Sequence, residues 1–538
     1  MTGWWRGAVV YQVYPRSFAD SNGDGIGDLP GLLRRLEHVA ALGVDAIWIS
    51  PFFRSPMRDF GYDVADFRDV DPLFGTLADF DAVVARAHEL GLRVVIDQIY
   101  SHTSDRHPWF AESRQSREGA RADWYVWADP KPDGSPPNNW QSIFAGPAWT
   151  WDARRQQYYL HNFLAEQPDL NLLNPAVQDA LLDDARFWLD RGVDGLRIDG
   201  VCHFTHDPLL RDNPPRQGGV RTRPVDFQEL VYNSDWPDTI AFLERLRALL
   251  DRYPERVAIG EIGGPDAAVR RVSGYLGRAR LHTAYSFRFL HAPAPSPEGV
   301  REALAEWARN HGDGWPTWVF SNHDAPRAPT RWGGAAPSRE YAKLLNALLL
   351  SLRGSVCLYQ GEELGLPQAQ VPYERLQDPE AIANWPRTLG RDGARTPMPW
   401  CAGEAYAGFS SVEPWLPIDP RHVALAVDRQ AGHPDSVLET TRELLFLRRS
   451  RPALRTGDLR FLDGGAGVLA FERISVPTPD GVEDRVCCAF NLGATEAVVA
   501  LPPGEWHAAA GVVAAGVPLP PRVTLPANGF LFAVSAAR

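Results

Sequence analysis

Four runs of this sequence turn from apolar to polar within a few residues, and each leaves groups that can move protons or attack carbon. They are Asp97-Gln98-Ile99-Tyr100-Ser101-His102, Gly195-Leu196-Arg197-Ile198-Asp199, Ile259-Gly260-Glu261 and Phe320-Ser321-Asn322-His323-Asp324. One carboxylate after an apolar run is ordinary, because Asp and Glu often cap the next helix. Three of them, Asp199, Glu261 and Asp324, in the company of Arg197, His102 and His323, suggest an active site if the fold brings them together. Two chemistries suit such a set. One carboxylate can attack carbon while another carries a proton, or the three can ligate a catalytic Mg2+. Arg197 stands two residues before Asp199, on the same face of an extended strand, where its charge favours the ionised carboxylate.

The elements that must position these groups alternate along the chain. Candidate strands are Val9–Arg16, Ala46–Pro51, Val94–Ile99, Gly195–Asp199, Ala258–Glu261, Leu281–Phe287, Trp318–Asp324 and Val356–Glu362. Amphipathic stretches such as Leu29–Leu42, Leu77–Leu90, Ala176–Arg191 and Thr239–Tyr253 lie between them, and Gly43, Gly91 and Gly192 follow three of these where a helix ends. Eight strands with helices between them predict an α/β fold, a (β/α)8 TIM barrel, whose chemistry sits at the C-terminal ends of the strands.

Two stretches break the alternation. Residues 103–174 are rich in Trp, Pro, Asp and Asn and read as a small domain inserted after the third strand. Residues 368–420 form a second irregular excursion. The expected organisation is barrel over 1–102, inserted domain over 103–174, barrel again over 175–455, and a C-terminal antiparallel β-sandwich over 456–538.

Composition narrows the class. A net charge of −12 argues against nucleic acid or an anionic membrane as partner. No basic and apolar leader opens the sequence, and no apolar run is long enough to span a bilayer. The five cysteines lack metal-ligand spacing, and adjacent Cys487 and Cys488 should face opposite sides of a strand. Reduced thiols in the cytoplasm are expected. One further segment, Asp20-Ser21-Asn22-Gly23-Asp24-Gly25-Ile26-Gly27-Asp28, sets oxygen groups at alternate positions among glycines, as in a calcium loop, without the Glu that closes an EF-hand.

The four strand-end runs resemble the motif regions of the α-amylase family of glycoside hydrolases. Gln167-Pro168-Asp169-Leu170-Asn171, Asp59-Phe60-Gly61-Tyr62-Asp63 and Ala394-Arg395-Thr396-Pro397-Met398-Pro399-Trp400 resemble its α-glucosidase and oligo-1,6-glucosidase branch. The resemblance implies a retaining enzyme with Asp199 as nucleophile, Glu261 as acid/base and Asp324 as the third carboxylate on the sugar hydroxyls. It implies that His102 and His323 donate to the terminal glucose, that Asp59 and Arg395 grip its C4 hydroxyl, and that Tyr62 stacks on it. Asp63 is expected to be structural, with Phe163 and Phe144 along the cleft. In the oxygen-rich loop it implies a structural Ca2+ or Mg2+ held by Asp20, Asn22, Asp24, the Ile26 carbonyl and Asp28, with no organic cofactor.

The expected partners are small sugar substrates and acceptors, for a monomer or homodimer. An exo-acting α-glucosidase with glucosyl transfer is the expected activity. Oligo-1,6-glucosidase, sucrose hydrolase and trehalose synthase are the alternatives within the family, and a non-catalytic member is a remote one. The residue after the nucleophile is often Val in relatives acting on α-1,6 bonds and Thr or Ala in those acting on α-1,4 bonds; Gly200 is neither. The small residues Gly263 and Gly264 after Glu261 suggest room for acceptors.

Overall fold

Parallel strands covered on both faces must be apolar on both faces, and the eight runs of the sequence meet that demand. In the computed structural model of the chain, which describes residues 3–219, 221–263, 274–311, 314–388, 390–477 and 483–535, they close into a barrel. Its strands are β1 (Val9–Val13), β2 (Ala46–Ile49), β3 (Arg93–Gln98), β4 (Gly195–Ile198), β5 (Val257–Ile262), β6 (Thr283–Ser286), β7 (Trp315–Val319) and β8 (Ser355–Tyr359). Every neighbouring pair is parallel, and β1 pairs with β8 to close the ring. Gly264 lies outside the described residues.

Helices α1 (Leu29–Leu42), α2 (Leu77–Glu89), α3 (Pro175–Asp190), α4 (Thr239–Leu250), α5 (Pro297–His311), α6 (Arg339–Ser351) and α7 (Val437–Ser450) lie along the chain between and after these strands. Their starts carry the expected chemistry: Asp28 accepts from Gly31 at α1, Thr76 and Asp79 form a capping box at α2, and Asn174 accepts from Ala176 at α3. Gly43 closes α1 at φ 91°.

Alternation along the strands sorts side chains into two sets. Val9, Tyr11, Val13, Ile47, Ile49, Val94 and Ile96 pack outward beneath the helices. Val10, Ala46, Trp48, Val95, Val257, Ile259, Tyr285, Val319 and Cys357 fill the barrel interior. Toward the C-terminal end this interior column becomes polar, with Gln12, Asp97, Arg197 and Glu261 all buried.

Strand boundaries differ from expectation in one place that matters. The seventh strand runs over Trp315–Val319 rather than Trp318–Asp324, so Asp324 sits in the following loop. Asn322 Oδ1 accepts from the backbone N–H groups of Asp324 and Ala325, and that turn ends the strand.

The excursion after β3 carries a small three-stranded antiparallel sheet, Trp127–Ala128, Gln157–Leu160 and Trp149–Asp152. At the other end of the chain lie β9 (Asp458–Leu462), β10 (Val468–Ile474), β11 (Arg485–Asn491), β12 (Ala497–Ala500), β13 (Trp506–Gly511), β14 (Arg522–Leu525) and β15 (Phe530–Ser535). They form a five-stranded antiparallel sheet and the pair β12–β14. Cys487 joins Val499 and Val523 in the core between these two sheets, while Cys488 joins the barrel-side core, so the adjacent thiols do face opposite ways.

Arg448, on α7, ties this side of the fold together. It is buried without a carboxylate, and its guanidinium donates to the carbonyls of Gly7, Leu350, Leu352 and Gly354. Arg448→Ala leaves four buried carbonyls short of a donor and should destabilise the protein by about 3 kcal/mol or more. A thermal melt should show a clear fall in Tm with turnover per folded molecule retained; an unchanged Tm would contradict this role.

Candidate active site

Arg197 points into the barrel from β4, with its guanidinium carbon 4.8 Å from the centre of the Trp48 ring. It has four partners from four strands or their ends. Nη1 is 2.5 Å from Asp97 Oδ1 and 2.7 Å from Asp199 Oδ1, while Nη2 is 2.6 Å from Glu261 Oε1 and 2.9 Å from the Tyr285 hydroxyl. One planar cation thus holds Asp199 and Glu261 side by side on adjacent nitrogens. The Asp199 N–H donates to the Gln98 carbonyl, and the Gly200 N–H donates to Glu261 Oε2 at 3.1 Å. Gly200 holds φ 48°, the left-handed region that turns the chain sharply after Asp199.

Burial decides the protonation states, tempered by this cation. It raises Asp199 to about 6 and Glu261 to about 7, with Arg197 pulling both back. Between the pair, Glu261 is therefore the one that keeps a proton. Burial opposes ionisation of Asp324 too, but His323, Arg395 and Arg391 overcome it and hold that carboxyl well below the usual range. Three carboxylates in one pocket thus take separate states: Asp199 ionised, Glu261 protonated, Asp324 firmly ionised.

His323 lies 3.1 Å from Asp324 Oδ2 through Nε2, which also meets the Tyr62 hydroxyl at 2.6 Å, while its Nδ1 is 2.8 Å from Gln12 Nε2. Tyr62 stacks on His323 at 5.3 Å between ring centres with 3° between planes, so one face of the tyrosine is already covered. His102 Nε2 meets the Tyr62 carbonyl at 3.1 Å and Gln167 Nε2 at 3.0 Å. Burial pulls both histidines down to about 3, which keeps them neutral.

Asp59 and Arg395, expected to grip one C4 hydroxyl, take different side-chain partners. Arg391 Nη2 is 2.8 Å from Asp59 Oδ1, while Arg395 bonds Asp324 Oδ1 at 2.8 Å and the His323 carbonyl at 2.7 Å. The turn over Asp392–Ala394 separates the two arginines by one short 3-10 segment, and that turn sends Arg391 to Asp59 and Arg395 to Asp324. Asp378 Oδ1 clamps Arg391 through Nε at 3.1 Å and Nη2 at 2.7 Å. Gln167 donates to Asp59 Oδ2 at 3.2 Å. Asp63 accepts from the N–H groups of Arg58 and Asp59 and from Ser55, the structural role expected of it. Phe163 lies 5.2 Å from His102 and 5.8 Å from Phe144, and Arg391 stands over the Phe144 ring at 4.8 Å.

The loop from Asp20 to Asp28 lies against residues 409–415. Asp20 accepts from the N–H groups of Asn22, Gly23 and Gly25 and from Ser410; Asp24 accepts from Ile26, and Asp28 from Ser21 and Gly31. All four acceptor positions of Asp20 are filled. Asp24, Asn22 Oδ1 and Asp28 Oδ1 each keep a lone pair, and this all-oxygen set suits a hard divalent cation. Among the described residues no three His, Cys, Asp or Glu side chains gather as a ready-made metal site.

Arg391, Asp378, Gln167, Asp97 and Tyr285 were not assigned from sequence. Gln167 sits inside a motif run and could have been named; Arg391 stands four residues before Arg395, and only the fold of the turn separates their targets.

The alpha amylase catalytic-domain profile matches residues 12–457. A "probable alpha-glucosidase" of Rhizobium meliloti is 51% identical over 544 residues, covering 98% of this chain and 97% of its own. An oligo-1,6-glucosidase of Heyndrickxia coagulans is 35% identical, covering 94% and 95%. Among solved structures, the alpha-glucosyl transfer enzyme XgtA superposes with a TM-score of 0.93 at 51% identity over 100% of both chains. The trehalulose synthase MutB of Pseudomonas mesoacidophila superposes at 0.87 with 32% identity, over 99% and 100%.

The order of the two protonation states makes a pH prediction. Below about 6 Asp199 takes up a proton and could no longer act as a nucleophile; above about 7 Glu261 loses the proton that a general acid would donate. A plot of kcat/KM against pH should therefore be a bell centred in mildly acidic to neutral water, its limbs belonging to the coupled pair. Activity rising steadily past pH 8 would contradict the assignment.

Proposed function

The chain belongs to the α-amylase family of glycoside hydrolases, and from that premise we propose that it is a retaining, exo-acting α-glucosidase that removes terminal α-glucose from maltose-like disaccharides and short oligosaccharides. The observation that carries the mechanism is the guanidinium of Arg197 shared by Asp199 and Glu261. Asp199 attacks the anomeric carbon while Glu261 gives its proton to the departing oxygen, which leaves with the electron pair of the broken bond. The glucosyl ester on Asp199 is then cleaved by water, or by an acceptor hydroxyl, whose proton returns to Glu261. Asp324, kept ionised, accepts hydrogen bonds from ring hydroxyls and faces the positive charge that develops in the transition state.

Exo-action rests on Asp59 and Arg391. Both are buried and bonded to each other, and together they can offer an acceptor and a donor to a C4 hydroxyl. Glucosyl transfer is supported by the high similarity to an alpha-glucosyl transfer enzyme and by space beside Gly200. Among the described residues, a side-chain carbon there would meet within 4 Å only the Phe163 ring, at 3.7 Å. A cytoplasmic location is supported by five cysteines without a disulfide; no helix among the described residues is long and apolar enough to cross a membrane. In the loop from Asp20 to Asp28, a divalent cation bound through Asn22, Asp24, the Ile26 carbonyl and Asp28 would brace the fold and take no part in bond cleavage.

Substrate discrimination tests the pocket. The 4-nitrophenyl α-glucoside should be cleaved and its C4-epimeric α-galactoside rejected by about 10⁴-fold, the scale on which hydrogen-bonding sites discriminate. Asp59→Ala and Arg391→Ala should each erode that ratio more than Arg395→Lys does. Rapid internal cutting of starch, or equal rates on the two epimers, would overturn exo-action, and a panel of maltose, isomaltose, sucrose and trehalose reads the linkage.

Thermal melts test the cation. Excess Ca2+ or Mg2+ should raise Tm, chelation should lower it, and Asp24→Ala should abolish both responses while leaving turnover at a permissive temperature. A Tm indifferent to both treatments would show a loop held by its own hydrogen bonds.

A further inference from the structure

Glu261 is faced by Arg197 and Asp199 from β4 and its end, Asp97 from β3, Asp324 from the loop after β7, Cys202 beyond Gly200, and Tyr285 from β6. Tyr285 differs from the rest in being held in one orientation on both sides. Its hydroxyl oxygen accepts from Arg197 Nη2 at 2.9 Å, and arginine can only donate. The single hydroxyl hydrogen is therefore free for Glu261 Oε1, 3.0 Å away. The ring is fully buried, stacked at 6.3 Å with Phe287 and tilted at 6.1 Å against Trp48, so it cannot turn to another partner.

Glu261 Oε1 thus accepts from the Tyr285 hydroxyl and is ion-paired with Arg197 Nη2 at 2.6 Å. A proton on that oxygen would compete with the hydroxyl hydrogen and lie beside the guanidinium charge. Oε2 has one weaker backbone partner, the Gly200 N–H at 3.1 Å. We propose that Tyr285 is a positioning residue of the active site, which with Arg197 reserves Oε1 as an acceptor and so places the catalytic proton of Glu261 on Oε2. In the first step the Oε2–H bond breaks and its proton goes to the departing oxygen, while the Tyr285 hydrogen bond and the Arg197 ion pair on Oε1 strengthen as the carboxylate forms.

This rests on the assignment of Glu261 as acid/base, and two variants test it. Tyr285→Phe keeps the ring and removes the donor to the ionised form, so the alkaline limb of kcat/KM should move to higher pH. The same variant should lose at least tenfold more on maltose, whose leaving group needs a proton, than on α-glucosyl fluoride, whose leaving group scarcely does. Replacing the Tyr285 side chain by 3-fluorotyrosine at that position alone makes the phenol a stronger donor, and the limb should move to lower pH. Opposite shifts in the two variants support the placement. An unmoved limb with equal losses on both substrates would mean that Tyr285 only fills space, and would overturn it. If the glucosidase assignment itself fails, the parent will process neither substrate.

Discussion

A guanidinium sealed inside the barrel dictates the arrangement around it. Taking Arg197 out of water costs several kcal/mol, which is recovered only if carboxylates meet it with good geometry. Asp97, Asp199 and Glu261 do so from three different strands or their ends. Removing any one leaves the cation undercompensated. The same contacts hold Asp199 and Glu261, the proposed nucleophile and acid/base, on one guanidinium, so the electrostatics of the fold and of the proposed reaction share one group. Asp97 is the partner that stays behind the chemistry: it is wholly buried and also takes the Trp48 indole N–H at 3.0 Å and the Tyr62 hydroxyl at 3.3 Å.

Around this centre the pocket is closed by loops that are themselves held at depth. Arg327 is buried after β7 and donates to the carbonyls of Gln360 and Ala394. Tyr359 bonds the same Ala394 carbonyl, and Ser17 bonds that of Arg395. These contacts fix the turn that delivers Arg391 to Asp59 and Arg395 to Asp324. Two arginines four residues apart thereby share Asp324 Oδ1, at 3.5 Å from Arg391 Nη1 and 2.8 Å from Arg395 Nη2, while Arg391 also bonds Asp59.

The barrel was legible because strand interiors are apolar on both faces and helices carry their caps in the sequence; α1 ran to the residue where Gly43 indicated. The end of β7 was misplaced because the polar run Ser321–Asp324 was read as the end of the strand, whereas Asn322 closes a turn onto Asp324 and Ala325. The three carboxylates were visible as strand-end departures from apolarity. Arg391 was not, since its contact with Asp59 joins segments separated by 332 residues. Tyr285 was hidden for another reason: a tyrosine in an apolar strand looks like core until its hydroxyl is seen between Arg197 and Glu261. In the loop from Asp20 to Asp28 the sequence showed the oxygen donors, and the structure shows how many of them are already occupied by the loop's own backbone.

The division of labour between Asp199 and Glu261 is tested most directly by trapping the intermediate. Glu261→Gln treated with α-glucosyl fluoride should accumulate a glucosyl ester, because the first step proceeds with a leaving group that needs little protonation while the second lacks its base. Mass spectrometry of peptic fragments should locate the added glucosyl mass on Asp199, and azide, a nucleophile needing no base, should release it as the β-glucosyl azide. An adduct on Asp324, or release of the α-azide, would contradict the account.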